Sequence, residues 1–198
     1  MKLFGPMALA ALVSFHAFAA QSDDPDWPCV QRRVDHLSLA VMWPNPVSQD
    51  AEVLSPELQD IAEQMALRRV SIEEVESLVD DIAQQRPDLG AEEYGRIFAE
   101  AFERIDVRRT RIIEGIVRYA RGQARLAEEV DALRSEFARV ESAEEPDFDR
   151  LDDLEEQIDW RERVFDDRNS ALTYVCETPV LLERRAYAIA QILLRKVD

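Results

Sequence analysis

Histidine is nearly absent from this 198-residue chain, which carries only His16 and His36. A zinc site assembled from several imidazoles, or a Ser-His-Asp nucleophile system with a choice of base, therefore lacks its raw material. Glycine is just as scarce, with Gly5, Gly90, Gly95, Gly115 and Gly122 too scattered to form a phosphate-cradling loop. Cysteine is confined to Cys29 and Cys176, and neither sits in a CxxC or CxxCH pattern that would support dithiol redox chemistry or haem attachment. After the first residues no apolar run approaches the ~20 residues that a bilayer-spanning helix needs.

What is abundant is negative charge. Lys and Arg together number 24 against 41 Asp and Glu, giving a formal net charge of −17. Such a surface repels phosphate-rich partners, which argues against nucleic acid and anionic lipid. So many carboxylates make close pairs inevitable, and no single pair singles out a general acid and base. Asp147, Asp149, Asp152 and Asp153 crowd together but lack the central glycine and closing glutamate of an EF-hand loop. No catalytic, cofactor-binding or metal-ligating residues are expected, and no cofactor.

Residues 1–19 read as a secretory signal: Lys2 starts it, Met7 to Phe15 form the apolar stretch, and Ala17-Phe18-Ala19 supply the cleavage site. The processed chain is then expected to be periplasmic or secreted, with no integral membrane segment. In that oxidising setting Cys29 and Cys176 are expected to form a disulfide.

Residues 20–54 form a strap broken by Pro25, Pro28, Pro44 and Pro46, with Trp27 and Trp43 read as plugs for the core. Val30, Val34, Leu37 and Val41 keep a helical spacing between the prolines, which suits one short helix there. Residues 55–198 read as a helical domain with helices at about 56–69, 72–85, 91–142, 148–176 and 179–197. Ser55-Pro56 and the Ser71/Glu74 capping box open the first two, and Thr178-Pro179 is read as opening the last.

The long third helix carries a seven-residue repeat through Phe98, Phe102, Ile105, Ile112, Ile116, Tyr119, Leu126, Val130, Leu133, Phe137 and Val140. Gly95, Arg109 and Gln123 occupy inward positions of that repeat, with a local kink considered at Val107 to Thr110. The return segment repeats the rhythm at Leu151, Leu154, Ile158, Arg161, Phe165, Arg168, Leu172 and Val175. Steps of three and four sustained this long predict an antiparallel coiled-coil hairpin with Phe137 opposite Leu154 and Leu126 opposite Phe165. Off-seam Ile113, Val117, Ala120, Ala124 and Ala127 predict cover from other helices near the base. About 15 residues, roughly 22 Å, should then project alone. The predicted fold class is all-α: a small helical bundle with a long projecting antiparallel coiled-coil hairpin, preceded by the Pro/Trp strap.

Two surfaces are candidates for binding. The first is the acidic hairpin tip, Glu144, Glu145, Asp147, Phe148, Asp149 and Asp152, taken together with Trp160. An aromatic among carboxylates suits a basic, partly apolar docking surface. The second is a stripe of Arg104, Arg108, Arg111, Arg118 and Arg125, whose simpler role is pairing with Glu100 and Glu114 one turn away. Together these suggest a non-enzymatic adaptor that presents its hairpin to another envelope protein with a basic surface, with self-association compatible with the same pattern. The alternatives are a small-molecule or cation-binding helical protein and, behind it, an enzyme that uses carboxylates alone.

Overall fold

A computed structural model of the protein describes residues 24, 26–48 and 53–197, so the expected signal segment lies outside the described residues. Among the described residues there are five α-helices and no strand: α1 (Leu39–Met42), α2 (Pro56–Ala66), α3 (Ile72–Gln85), α4 (Ala91–Glu141) and α5 (Phe148–Leu194). None of them is long and apolar enough to cross a membrane. The architecture is an all-α bundle whose two longest helices continue beyond it as a hairpin.

Local chemistry sets the helix starts. Ser55 Oγ accepts the Leu58 N–H at 3.4 Å, and the Ser71/Glu74 box closes both ways, at 3.1 and 2.6 Å. Glu93 accepts the Gly90 N–H at 2.9 Å, and Asp147 accepts the Arg150 N–H at 3.0 Å. These contacts satisfy amides that a helix start leaves without partners. α2 stops at Ala66, three residues short of expectation. A turn with Val70 N–H on the Leu67 carbonyl follows it, bringing the chain into the extended geometry that the Ser71 cap needs.

The expected break at Thr178-Pro179 does not occur, and α5 runs through Pro179 as one helix of 47 residues. An interior proline costs ~3 kcal/mol, mostly through a lost hydrogen bond and a ring clash. Here the carbonyl that the proline nitrogen cannot serve belongs to Val175, a residue that is 42% exposed. Downstream, Leu182, Ala186, Ile189 and Leu193 are completely buried in the bundle, and that burial offsets the cost of continuing.

Those side chains meet Val75 and Val79 of α3, Met65 of α2, and Ile97, Phe98 and Ile105 of α4 in the main core. Trp43 closes one side of it, 1% exposed and stacked on Phe98 at 5.4 Å between ring centroids. The indole approaches α4 so closely that a Cβ at Gly95 would lie 2.9 Å from its Nε1. That approach is why glycine occupies an inward position of the repeat.

The one short helix expected in the strap is present but confined to Leu39–Met42, short of the full Val30 to Val41 spacing. Only α1 is helical, and Val30 and Val41 are 89% and 82% exposed. The backbone is held instead by polar groups of α4: Arg109 donates to the Val34 carbonyl at 2.5 Å, Thr110 to the Asp35 carbonyl at 2.9 Å, and Asp106 accepts the Leu37 N–H at 2.8 Å. Once α4 supplies partners for the strap's amides and carbonyls, helix formation no longer has a hydrogen-bonding advantage. Arg109, 4% exposed, also lies 3.9 Å from Glu183, so this seam residue joins strap, α4 and α5.

Cys29 and Cys176 are joined by a disulfide with Cα atoms 5.6 Å apart. Around it Trp27, Ile113, Ile116, Val117 and Leu172 form a second, smaller core. The cover expected from neighbouring helices is therefore provided by the strap. It ends between Ala120, which is half-buried, and Ala124, which is exposed. Val175, assigned to the seam, is 42% exposed while Cys176 takes the buried position; the tie to Cys29 turns that side of α5 inward.

Candidate functional site

The arm begins where the strap ends. Arg121 bonds Asp26 at 2.6 Å, and beyond it, among the described residues, every side-chain hydrogen bond and ion pair of α4 stays within α4, α5 and their connection. About 20 residues of α4 project, roughly 30 Å at 1.5 Å per residue. Gln123 donates to the Phe165 carbonyl at 3.0 Å and Tyr119 to the Arg168 carbonyl at 2.9 Å. Glu129 meets Arg161 at 3.5 Å, Arg134 meets Glu162 at 2.7 Å and Glu136 meets Arg150 at 2.7 Å. These pairs keep the two helices in the heptad register read from the repeats, with Leu154 and Val130 buried between them.

At the end of the arm Pro146 and the Asp147 cap turn the chain into α5. Glu144, Glu145, Asp147, Phe148, Asp149 and Asp152 are all exposed, Phe148 at 72%. The one basic side chain within this region, Arg150, reaches back to Glu136 and holds that carboxyl below its ordinary range through the hydrogen bond and its charge. Its charge is thereby spent against α4. The outer face of the tip is left to carboxylates and one phenyl ring.

Trp160 does not join the tip. It lies 12 residues further along α5, about 18 Å from Phe148. Its indole is 62% exposed and lines an open groove of about 430 Å³ with Gly122, Arg125, Arg161, Val164 and Arg168. Arg161 and Arg168 belong to the seam repeat in sequence, yet Arg168 is exposed and Arg161 half-buried, leaving both at the groove. Charged residues at seam positions were the sequence signal for this groove; its composition was not legible until both helices were placed.

The arginine stripe divides. Arg104 pairs with Glu100 and, at 3.9 Å, with Glu63; Arg118 pairs with Glu114 at 3.7 Å. Arg108, Arg111 and Arg125 are exposed and form no ion pair among the described residues. Only Arg125 of the five reaches the groove.

His36 lies 3.1 Å from Asp106, which already holds the strap's backbone, so the imidazole sits at a structural junction. Among the described residues no group of three or more His, Cys, Asp and Glu is placed to hold a metal ion. Buried Arg185 donates to the Met65 carbonyl at 2.7 Å, and burial pushes its pKa down. A guanidinium holds its proton far more tightly than neutral pH can remove, so it remains charged. Comparison with models of protein families, with curated proteins and with solved structures finds no match for the chain in any of the three.

Proposed function

We propose that the protein is an exported, non-enzymatic adaptor whose helical arm presents an acidic, phenylalanine-bearing tip to a basic surface of another envelope protein. The observation that carries this reading is the arm itself: two helices extend some 30 Å past all other support and end in an exposed aromatic ringed by carboxylates. A bundle needs no such extension to complete its core. Carboxylates at the end would steer encounter with a cationic surface, and burying the Phe148 ring would slow dissociation. The disulfide and the N-terminal signal pattern support an oxidising compartment outside the inner membrane.

The experiment is capture from envelope extracts on immobilised mature protein, with three baits: the native chain, Phe148→Ala, and a tip with Glu144, Glu145, Asp149 and Asp152 changed to Lys. Asp147 is kept because it caps α5. For the captured protein, the lysine tip should slow association and Phe148→Ala should shorten the complex's lifetime. Equal binding by all three baits would move the interface off the tip. Mass spectrometry of exported material tests the compartment, the expected N-terminus being Ala20.

A further inference from the structure

The groove beside Trp160 reverses the sign of the surrounding surface. In a chain of net charge −17, Arg125, Arg161 and Arg168 converge on one depression with an exposed indole at its edge. Glu129, its only lining carboxylate, is taken by Arg161 at 3.5 Å, whereas Arg125 and Arg168 form no ion pair among the described residues. Arg125 folds over the open space at Gly122, its Nη2 3.9 Å from where a Cβ would lie. Guanidiniums with open donor forks beside an aromatic face suit carboxylates accompanied by an aromatic ring.

That description matches the tip of the same chain. Its own tip cannot reach, because Phe148 and Val164 lie on one continuous helix, 16 residues or about 24 Å apart. We propose that the groove receives the acidic tip of a second copy, pairing two arms antiparallel about a two-fold axis. The symmetry makes both tip-to-groove contacts at once. It also lays the half-buried seam residues Leu133, Phe137 and Ile158 within the overlap. An overlap ~30 Å long and ~20 Å wide covers about 600 Å² per partner, the low end for specific association. The pair is therefore weak and reversible, and a partner that binds the tip more tightly displaces it. The inference rests on the tip being a docking element but makes this chain its recogniser.

Sedimentation of the mature protein from ~1 to ~300 µM, the range of weak specific association, is the first measurement. Acrylamide quenching is the second. Trp27 and Trp43 are 8% and 1% exposed, so the quenchable emission reports Trp160. The native protein should pass from monomer to dimer as concentration rises while the quenching constant falls about two-fold. Arg125→Glu with Arg168→Glu should remain monomeric, as should the four-lysine tip. An equimolar mixture of these two variants should form a heterodimer, because the lysine tip then faces the glutamate groove while the native tip faces the native groove. Arg69→Glu with Arg184→Glu, two exposed positions away from the arm, should dimerise like the native chain. A native chain that stays monomeric throughout, variants that dimerise unaided, or a mixture that fails to associate would each overturn the pairing. Tip-dependent capture of an envelope protein by a chain that stays monomeric would retain the adaptor reading and discard this one; dimerisation without such capture would do the reverse.

Discussion

Removing the Cys29–Cys176 bridge should weaken the fold more than any single core truncation. The two cysteines are 147 residues apart, so the closed loop contains α1 to α4 and over half of α5. In the chain-entropy description, a loop of that length contributes about 5 kcal/mol at 25 °C. The strap would keep its contacts through Arg109, Asp106 and Arg121, so most of the loss lies in a freer denatured chain rather than in missing native contacts. Replacing both cysteines by Ser avoids stray thiols. With a urea dependence of about 2 kcal/mol per molar, the unfolding midpoint should fall by about 2 to 2.5 M. Circular dichroism in urea measures it for native and variant chains. A drop below ~0.5 M, equivalent to ~1 kcal/mol, would refute the reasoning, because the bridge would then not be constraining the denatured chain.

Gly95→Ala places a methyl 2.9 Å from the Trp43 indole and 3.2 Å from Val47, and should cost about 1–3 kcal/mol in thermal unfolding despite alanine's better helix propensity. A more stable variant would show that Trp43 gives way freely. Leu154→Ala removes a completely buried side chain from the arm and should cost about 2–4 kcal/mol. Hydrogen exchange should quicken across residues 130–165 while the main core keeps its protection; equal quickening everywhere would mean that the arm is not a separate unit. Acid should loosen the tip: Arg150 lowers the Glu136 pKa, so the contact stabilises the fold fully above the ordinary value of 4.5 and is lost as pH falls through the lower folded value. Amide exchange near residues 136–150, followed from pH 6 downward, should show this step, and Glu136→Gln should remove its share of it.

Much of this fold is written in local patterns. The Ser71/Glu74 box and the Ser55-Pro56 start are short-range chemistry that tertiary contacts had no reason to override. The heptads are as legible, since an inward stripe sustained over about twelve turns of α4, from Phe98 to Val140, has few other places to go. Failures came where a distant element supplied the deciding partner. Val30 to Val41 have helical spacing, but polar groups of α4, some 70 residues away, bind the strap's backbone. Pro179 reads as a helix start, yet burial of Leu182 and Ile189 holds both halves of α5 in line. For the candidate surfaces, the tip was visible because its residues are contiguous. The groove was not, since it combines Arg125 with Trp160 and Arg168 from the opposite helix, and only the register brings them together.

The arm's energetics bear on its role. Between Gln123 and the tip the fully covered seam side chains are few, with Val130 and Leu154 foremost, each worth about 1.5–3 kcal/mol. Leu133, Phe137, Val140, Leu151 and Ile158 remain half-buried because two helices cannot enclose their own seam. The ion pairs that flank it, Arg134–Glu162, Arg150–Glu136 and Arg161–Glu129, are largely solvated and contribute little. Against these stands a conformational cost of about 1–2 kcal/mol for every ordered residue. The distal arm therefore sits at the low end of local stability, with the continuous helices below it carrying much of its order. Whatever covers that seam or engages the tip adds binding free energy where the intrinsic margin is smallest, so a modest contact has its largest structural effect there. A bundle built only for stability would end its two long helices near the disulfide. Extending them past it makes sense for an element whose order is completed by what it touches.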